Sequence, residues 1–197
     1  MICDDKRINI KQGSIYKLPY RDNYFDFVIC SEILEHLSDD KKALLEVERV
    51  LKPSGFLIIT VPNYNFPFLW DPLNWILMRF FNTHINKDLW WLAGIWADHE
   101  RLYTTDEIIN VVKKHFKILE MRQFISWCWP FSHFLLYGIG KNLVENLGFS
   151  QFSRFNFKKK SSSSLLAKLI ALPTDFLDKK LQNINSTNIA IVAKKIQ

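Results

Sequence analysis

Two short apolar runs on either side of a helical pattern constrain this chain most. The runs are FDFVIC (25–30) and FLIITV (56–61). Between them, apolar residues recur at helical spacing after Ser38, a predicted N-cap, and a Pro-Ser-Gly sequence ends the helix. Such runs are typical of strands buried on both faces of a parallel sheet. The segment therefore predicts a strand–helix–strand unit with a right-handed crossover.

Local patterns indicate four further elements. They are a strand over 7–12, a helix that begins at the capping box Thr104–Glu107, a strand over 116–124 and a closing strand over 187–196. The strands are predicted from alternation of apolar and polar residues, and the helix from the reciprocal pairing of a Thr and a Glu three residues apart. The order of elements predicts an α/β protein.

Composition narrows the class of protein. The 197 residues suffice for one domain, and 48% of them are hydrophobic, which predicts a globular chain. Its three cysteines stand far apart without a CxxC pair, so neither a disulfide framework nor a metal site is predicted. The net charge of +6 is concentrated in the second half. This basic half either faces an anionic partner or is a solvated surface.

Four segments together carry a resemblance to a known family. They are GSIYKLPYRDNYFDFVICSEILEHL (13–37), ALLEVERVLKPSGFLIITVPN (43–63), DHERLYTTDEIINVVKKHFKILEMRQF (98–124) and TNIAIVAKKI (187–196). In this order they resemble the class I S-adenosylmethionine-dependent methyltransferases, in the type 11 subgroup that contains the ubiquinone/menaquinone C-methyltransferases. The resemblance implies a Rossmann-like three-layer α/β/α fold, a mostly parallel sheet with an antiparallel last strand, and S-adenosylmethionine as the cofactor.

The resemblance also implies elements that this sequence does not show. The family begins with a strand and a Gly-rich turn, and the six glycines here form no such loop. We therefore expect a fold that lacks the first two strands, an unpartnered strand at 7–12 and an exposed edge at 25–30. Weak or no cofactor binding is expected from the chain alone. A gene fragment, half of a split enzyme, and a scaffold without catalysis remain alternatives.

The resemblance places cofactor contacts after two strands. Ser14 and Ile15 are expected beside the adenine, where the family most often has Asp in place of Ser14. Cys30, Ser31 and Glu32 are expected at the methionine end. Two alternatives stay open: Cys30 as a small buried residue and Glu32 as a solvent-exposed loop acid.

Two histidines are candidates for a general base. His36 follows Glu35 where the strand-to-helix loop meets the helix, and His99 lies just before the capping box. Each histidine has two alternative roles. It accepts a proton from the methyl acceptor as a general base, or its role is structural. The structural role of His36 is capping the helix or bracing the loop, and that of His99 is closing the pocket.

Aromatic residues point to the acceptor. All seven tryptophans lie between residues 70 and 129. We expect a single partial domain over 1–197, with a core at 7–63, 101–124 and 186–197 and helical inserts at 64–100 and 125–185. The inserts either bind a large hydrophobic, lipid-linked or small-molecule acceptor or form a local core.

Partners and location follow from the same features. We expect a cytoplasmic protein, with peripheral membrane contact as the alternative location. For protein partners, the alternatives are a complementing chain and a homo-oligomer. A non-catalytic scaffold that binds a partner or a membrane surface is the competing function. Nucleic-acid binding is not favoured, because Lys158–Lys160 is a single short basic run away from the aromatics.

Overall fold

Four strands and three α-helices make up the part of the chain that the structure, a computed structural model, describes: residues 8–89, 92–125 and 185–196. In chain order they are β1 (Phe25–Ser31), α1 (Asp40–Val50), β2 (Leu51–Pro62), α2 (Pro72–Phe80), α3 (Thr105–Val112), β3 (Phe116–Phe124) and β4 (Asn188–Lys195). Short 3-10 helices lie at Leu34–His36 and Gly94–Trp96.

The strands form one sheet in the order β1-β2-β4-β3. β1 pairs parallel with β2, whereas β4 pairs antiparallel with both β2 and β3. Three strands therefore run in one direction and the last runs against them. This confirms the predicted α/β fold with a mostly parallel sheet and an antiparallel last strand.

One face of the sheet forms the main core. Helices α1 and α3 pack there through Leu44 and Ile108, against Leu57 and Ile59 of β2 and Ile191 of β4, all buried. Burying one such side chain contributes roughly 1.5–3 kcal/mol, so this cluster is a major source of stability. The alternation of apolar residues along β2 and β4 selects which face is buried.

In the described part of the chain, β1 is an edge strand and the other face of the sheet carries exposed side chains. Phe27 and Ile29 are 63% and 64% exposed, and the Phe27 ring stacks on Phe56 with the centroids 5.3 Å apart. Residues 8–12 are exposed and lie outside any strand, so the strand predicted at 7–12 is wrong over its described part. Alternation favours a strand, but ladder hydrogen bonds hold it, and no described strand pairs with these residues.

Helix boundaries correct the prediction for α1. Asp39, not Ser38, is the N-cap, and its carboxylate accepts a hydrogen bond from the Lys42 amide at 3.0 Å. Both residue types cap well, so the sequence leaves the choice between them open. The capping box that begins α3 is confirmed, with Thr104 and Glu107 bonded reciprocally.

The described part of the first insert has a small core of its own. Phe66, Met78 and Ile95 are buried there, and Trp75 and Trp96 pack against them. These tryptophans therefore belong to a local core. The insert predicted over 125–185 lies almost wholly outside the described residues. Within the described ranges, no helix is long and apolar enough to cross a membrane.

Candidate active site

Polar side chains gather at the carboxyl ends of β1 and β2. The hydroxyls of Ser31 and Thr60 lie 2.8 Å apart, and Thr60 donates a hydrogen bond to Glu32 at 2.7 Å. Asn188 begins the antiparallel β4 and therefore reaches the same end, where its amide donates to Glu32 at 3.1 Å. Ligands of open α/β sheets bind outside these strand ends, so this is the expected side for a cofactor.

A sharp turn follows β1. Glu32 has a positive φ of 53°, while its amide still donates to the Thr60 carbonyl at 3.0 Å. A non-glycine residue in this region is uncommon, and such residues are concentrated at functional sites. The turn directs the chain into the 3-10 helix at Leu34–His36.

The segment before α3 lies along that 3-10 helix. The carbonyl of Glu35 accepts hydrogen bonds from the amides of Glu100 and Arg101, at 2.8 and 3.3 Å. These contacts place His99 beside His36, with ring centroids 4.8 Å apart. The two candidate bases, 63 positions apart in sequence, thus occupy one site.

Each of these imidazoles is held by a backbone carbonyl. Nδ1 of His36 lies 2.8 Å from the Asp98 oxygen, and Nδ1 of His99 lies 2.6 Å from the Ile95 oxygen. A carbonyl oxygen only accepts, so Nδ1 carries the hydrogen in both rings. In the neutral imidazoles, Nε2 is then the nitrogen with the lone pair.

Glu35 completes the cluster from the protein side. Its side chain is fully buried, and neither carboxylate oxygen accepts a hydrogen bond from the described residues. Oε1 lies 3.5 Å from Nε2 of His36. The pKa of Glu35 is raised to about 7, chiefly by burial and secondarily by the nearby Glu32 carboxylate, against the opposing effects of its own backbone amide and of His36.

A second buried network supports the histidine segment. The Tyr103 hydroxyl donates to Asp40 at 2.8 Å, and Arg101 lies 3.3 Å from the same carboxylate oxygen. Burial and the Asp40 carboxylate raise the pKa of the Tyr103 hydroxyl. A shallow cavity of about 380 Å³ lies beside this network, and its lining includes none of the predicted cofactor residues.

The predicted cofactor residues divide between the surface and the core. Ser31 and Glu32 are exposed at the strand ends, and Ser14 lies in an exposed turn closed by Lys17. Ile15 packs against the main core. Cys30 is only 2% exposed, and burial raises its thiol pKa to about 11, so it stays protonated at neutral pH and is no nucleophile.

Sequence reasoning missed Glu35 as a member of the site. In the sequence it stands only as the neighbour of His36. A carboxylate in a helical turn gives no sign of burial by itself, although a Glu-His pair after a buried strand was the available signal. The contact between His36 and His99 was not predicted either, because no periodicity links positions so far apart.

Comparison with known proteins agrees with the strand-end geometry. Residues 2–59 match a family described as a methyltransferase domain. The ubiquinone/menaquinone biosynthesis C-methyltransferase of Paraburkholderia phytofirmans is 34% identical over 87 residues, 44% of this chain and 32% of that protein. The tRNA (carboxymethyluridine(34)-5-O)-methyltransferase of Arabidopsis thaliana is 43% identical over 63 residues, 30% of this chain and 16% of that protein.

A solved structure shows the same fold. A crystal structure of a SAM-dependent methyltransferase from Archaeoglobus fulgidus superimposes with a TM-score of 0.50 at 15% identity, over 98% of this chain and 70% of that one. The matches confirm the predicted resemblance to the class I S-adenosylmethionine-dependent methyltransferases. The chain aligns with less than a third of the length of the two curated relatives described above.

Proposed function

We propose that this chain takes part in S-adenosylmethionine-dependent methyl transfer, with the carboxyl ends of β1 and β2 facing the cofactor. The observation that carries the proposal is the polar cluster of Ser31, Glu32 and Thr60 at the end of a methyltransferase-like sheet. The Glu32 carboxylate is exposed there and suits the cationic amino group at the methionine end of the cofactor. The Glu32 carboxylate therefore fits that end of the cofactor.

The share of the protein in this reaction is positioning. Bound S-adenosylmethionine supplies an electrophilic methyl group. Thr60 and Asn188 hold the Glu32 carboxylate in one orientation, which lowers the entropy cost of aligning a ligand. Adenine contacts from Ser14 and Ile15, and a general-base role for His36 or His99, stay predictions.

Saturation-transfer difference NMR with S-adenosylhomocysteine tests the proposal, because it detects weak binding by the full chain. We expect a signal that falls at least threefold in Glu32→Gln, since the amide keeps the hydrogen-bond acceptor and removes the charge. The matched control is Glu48→Gln, which alters an acid on α1 paired with His115. Equal signals from both variants would contradict the assignment of Glu32, and absence of saturation transfer would show that the chain alone does not bind the cofactor.

A hydrophobic acceptor is the finer part of the proposal. The surface of the first insert exposes Leu73, Ile76, Phe80 and Phe81 on and after α2. Adjacent exposed apolar side chains mark a contact surface for an apolar ligand or a membrane. We therefore infer a large apolar acceptor, reached at or near a membrane surface.

Co-sedimentation with anionic vesicles at low salt tests this acceptor surface. We expect the full chain to pellet, and Phe80→Ser with Phe81→Ser to reduce the pelleted fraction by more than half. Leu119→Ser, an exposed apolar position on β3, is the control. Vesicle binding without any cofactor binding would favour the non-catalytic scaffold, and no vesicle binding would remove the membrane contact.

A further inference from the structure

The cluster of Glu35, His36 and His99 has the composition of a metal site. Each residue offers one ligand atom, and these atoms all lie within 4.8 Å of one another. Ligand atoms about 2.1 Å from a shared ion lie about 3.4 Å apart, so small side-chain movements would bring the three together around an ion. The separation of 3.5 Å between Glu35 and His36 already matches that spacing.

The orphaned carboxylate is the independent sign of a missing ligand. Glu35 is fully buried, and no described residue donates a hydrogen bond to either of its oxygens. Burial of a charged group without partners is costly, and proteins retain such groups where a ligand satisfies them. A cation between Glu35 and the two imidazoles would supply that partner.

The imidazoles are already oriented as metal ligands usually are. In metal sites, a ligating histidine donates its other ring hydrogen to a carbonyl or carboxylate, which fixes the tautomer and the ring orientation. His36 and His99 both do so through Nδ1, to the carbonyls of Asp98 and Ile95. Nε2 is therefore the nitrogen that carries the lone pair in the neutral form of each ring, which is the form that binds a metal.

We propose that Glu35, His36 and His99 bind one first-row divalent transition-metal ion, such as Zn²⁺ or Co²⁺, through one carboxylate oxygen and two imidazole nitrogens. Two nitrogen ligands favour such ions over Mg²⁺ and Ca²⁺, which prefer oxygen. The His36 side chain is 40% exposed, so the ion has a path to solvent and room for a water or substrate oxygen as a further ligand. Coordination would occupy the Nε2 atoms that a general base needs, so a bound ion and the predicted general-base role exclude each other at these two histidines.

Titration of the tag-free full chain with CoCl2 tests the site, because Co²⁺ reports its coordination by visible absorption as well as by heat. We expect one equivalent to bind at micromolar or lower Kd, at least tenfold tighter than Mg²⁺ under the same conditions. Glu35→Gln and His99→Asn should each weaken Co²⁺ binding at least tenfold. The titration needs no cofactor, so its outcome is independent of the methyl-transfer proposal.

His84→Asn is the matched control. His84 also pairs Nδ1 with a backbone carbonyl, that of Ile85 at 2.9 Å, but it lies outside the three-residue cluster. The control should bind Co²⁺ as the natural chain does. Binding weaker than 100 μM, on the order of non-specific contacts, would overturn the proposal, as would equal affinities for Glu35→Gln and the natural chain. Glu35→Gln removes a charge from the interior, so its fold, checked by circular dichroism, should persist.

Discussion

Two fully buried carboxylates, one in the insert and one at the strand ends, differ in their partners. Asp71 caps α2 and accepts three hydrogen bonds: from the amide and side chain of Asn74 at 3.1 and 2.7 Å, and from the Ile95 amide at 2.9 Å. Glu35 accepts none from the described residues. Burial alone therefore does not reveal what a carboxylate does; the number of its donors does.

The surroundings of Asp71 are shaped to supply those donors. Gly94 has φ +60°, and a Cβ added there would lie 1.9 Å from the Asp71 carboxylate. The insert thus uses a glycine to let two backbone segments approach one acid. Such a satisfied network stabilises a local core, whereas an unsatisfied buried acid such as Glu35 lowers stability.

Removing the Asp71 carboxylate should produce the largest loss of folding stability. Asp71→Ala leaves buried donors on Asn74 and Ile95 without partners and removes the cap of α2, so we expect about 4 kcal/mol less stability. Urea unfolding followed by tryptophan fluorescence measures it. Asp88→Ala, an exposed acid in the same insert, is the control and should change stability by less than about 0.5 kcal/mol. A loss of stability below about 1 kcal/mol for Asp71→Ala would contradict the difference inferred between the hydrogen-bonded Asp71 and the unsatisfied Glu35.

Replacing Glu35 should increase the stability of the protein, in contrast to the loss expected for Asp71→Ala, and the size of the increase should depend on pH. The folded pKa of Glu35 is about 7, against 4.5 for a free glutamate. Between these values the unfolded chain releases a proton that the folded chain keeps, so the stability of the natural chain falls as pH rises through this window and changes no further above it. Glu35→Gln lacks this loss.

We therefore expect Glu35→Gln to gain about 2 kcal/mol relative to the natural chain between pH 5 and pH 8. Urea unfolding at the two pH values, with EDTA present to exclude metal, measures the difference. The same relative stability at both pH values would mean that the Glu35 carboxylate already has a partner in the folded protein.

Local patterns were enough to predict most of the sheet. β1, β2, β3 and β4 were predicted because apolar runs and alternation are read over a few residues, and the Thr104 capping box is a four-residue signal. Residues 8–12 show the limit of this reasoning. Alternation tells which face of a strand would be buried, but not whether a neighbouring strand is there to pair with it.

The site depended on contacts that no local pattern contains. His36 and His99 were each selected by residue type, yet their contact follows from hydrogen bonds between the turn after β1 and the segment before α3. The Asp71 network likewise joins α2 to Gly94 and Ile95, more than 20 positions later. The burial of Glu35 also results from packing between segments that are distant in sequence. The sequence alone therefore does not distinguish Glu35 from an exposed loop acid.

The smallest expected effect tests whether burial, rather than bond count, separates these groups. Thr104 and Glu107 also share three hydrogen bonds, at 2.8, 2.8 and 3.3 Å, but near the surface. Water replaces lost partners there, so Thr104→Ala should cost only about 1 kcal/mol, measured by the same urea unfolding. Thr104→Ser keeps the hydroxyl and should cost less than half of that. Thr104→Ala removes the two bonds of the hydroxyl and keeps the one donated by the Thr104 amide, whereas Asp71→Ala removes all three. If Thr104→Ala nevertheless matched the loss from Asp71→Ala, burial would not separate these groups, and the inference drawn from the missing donors at Glu35 would weaken with it.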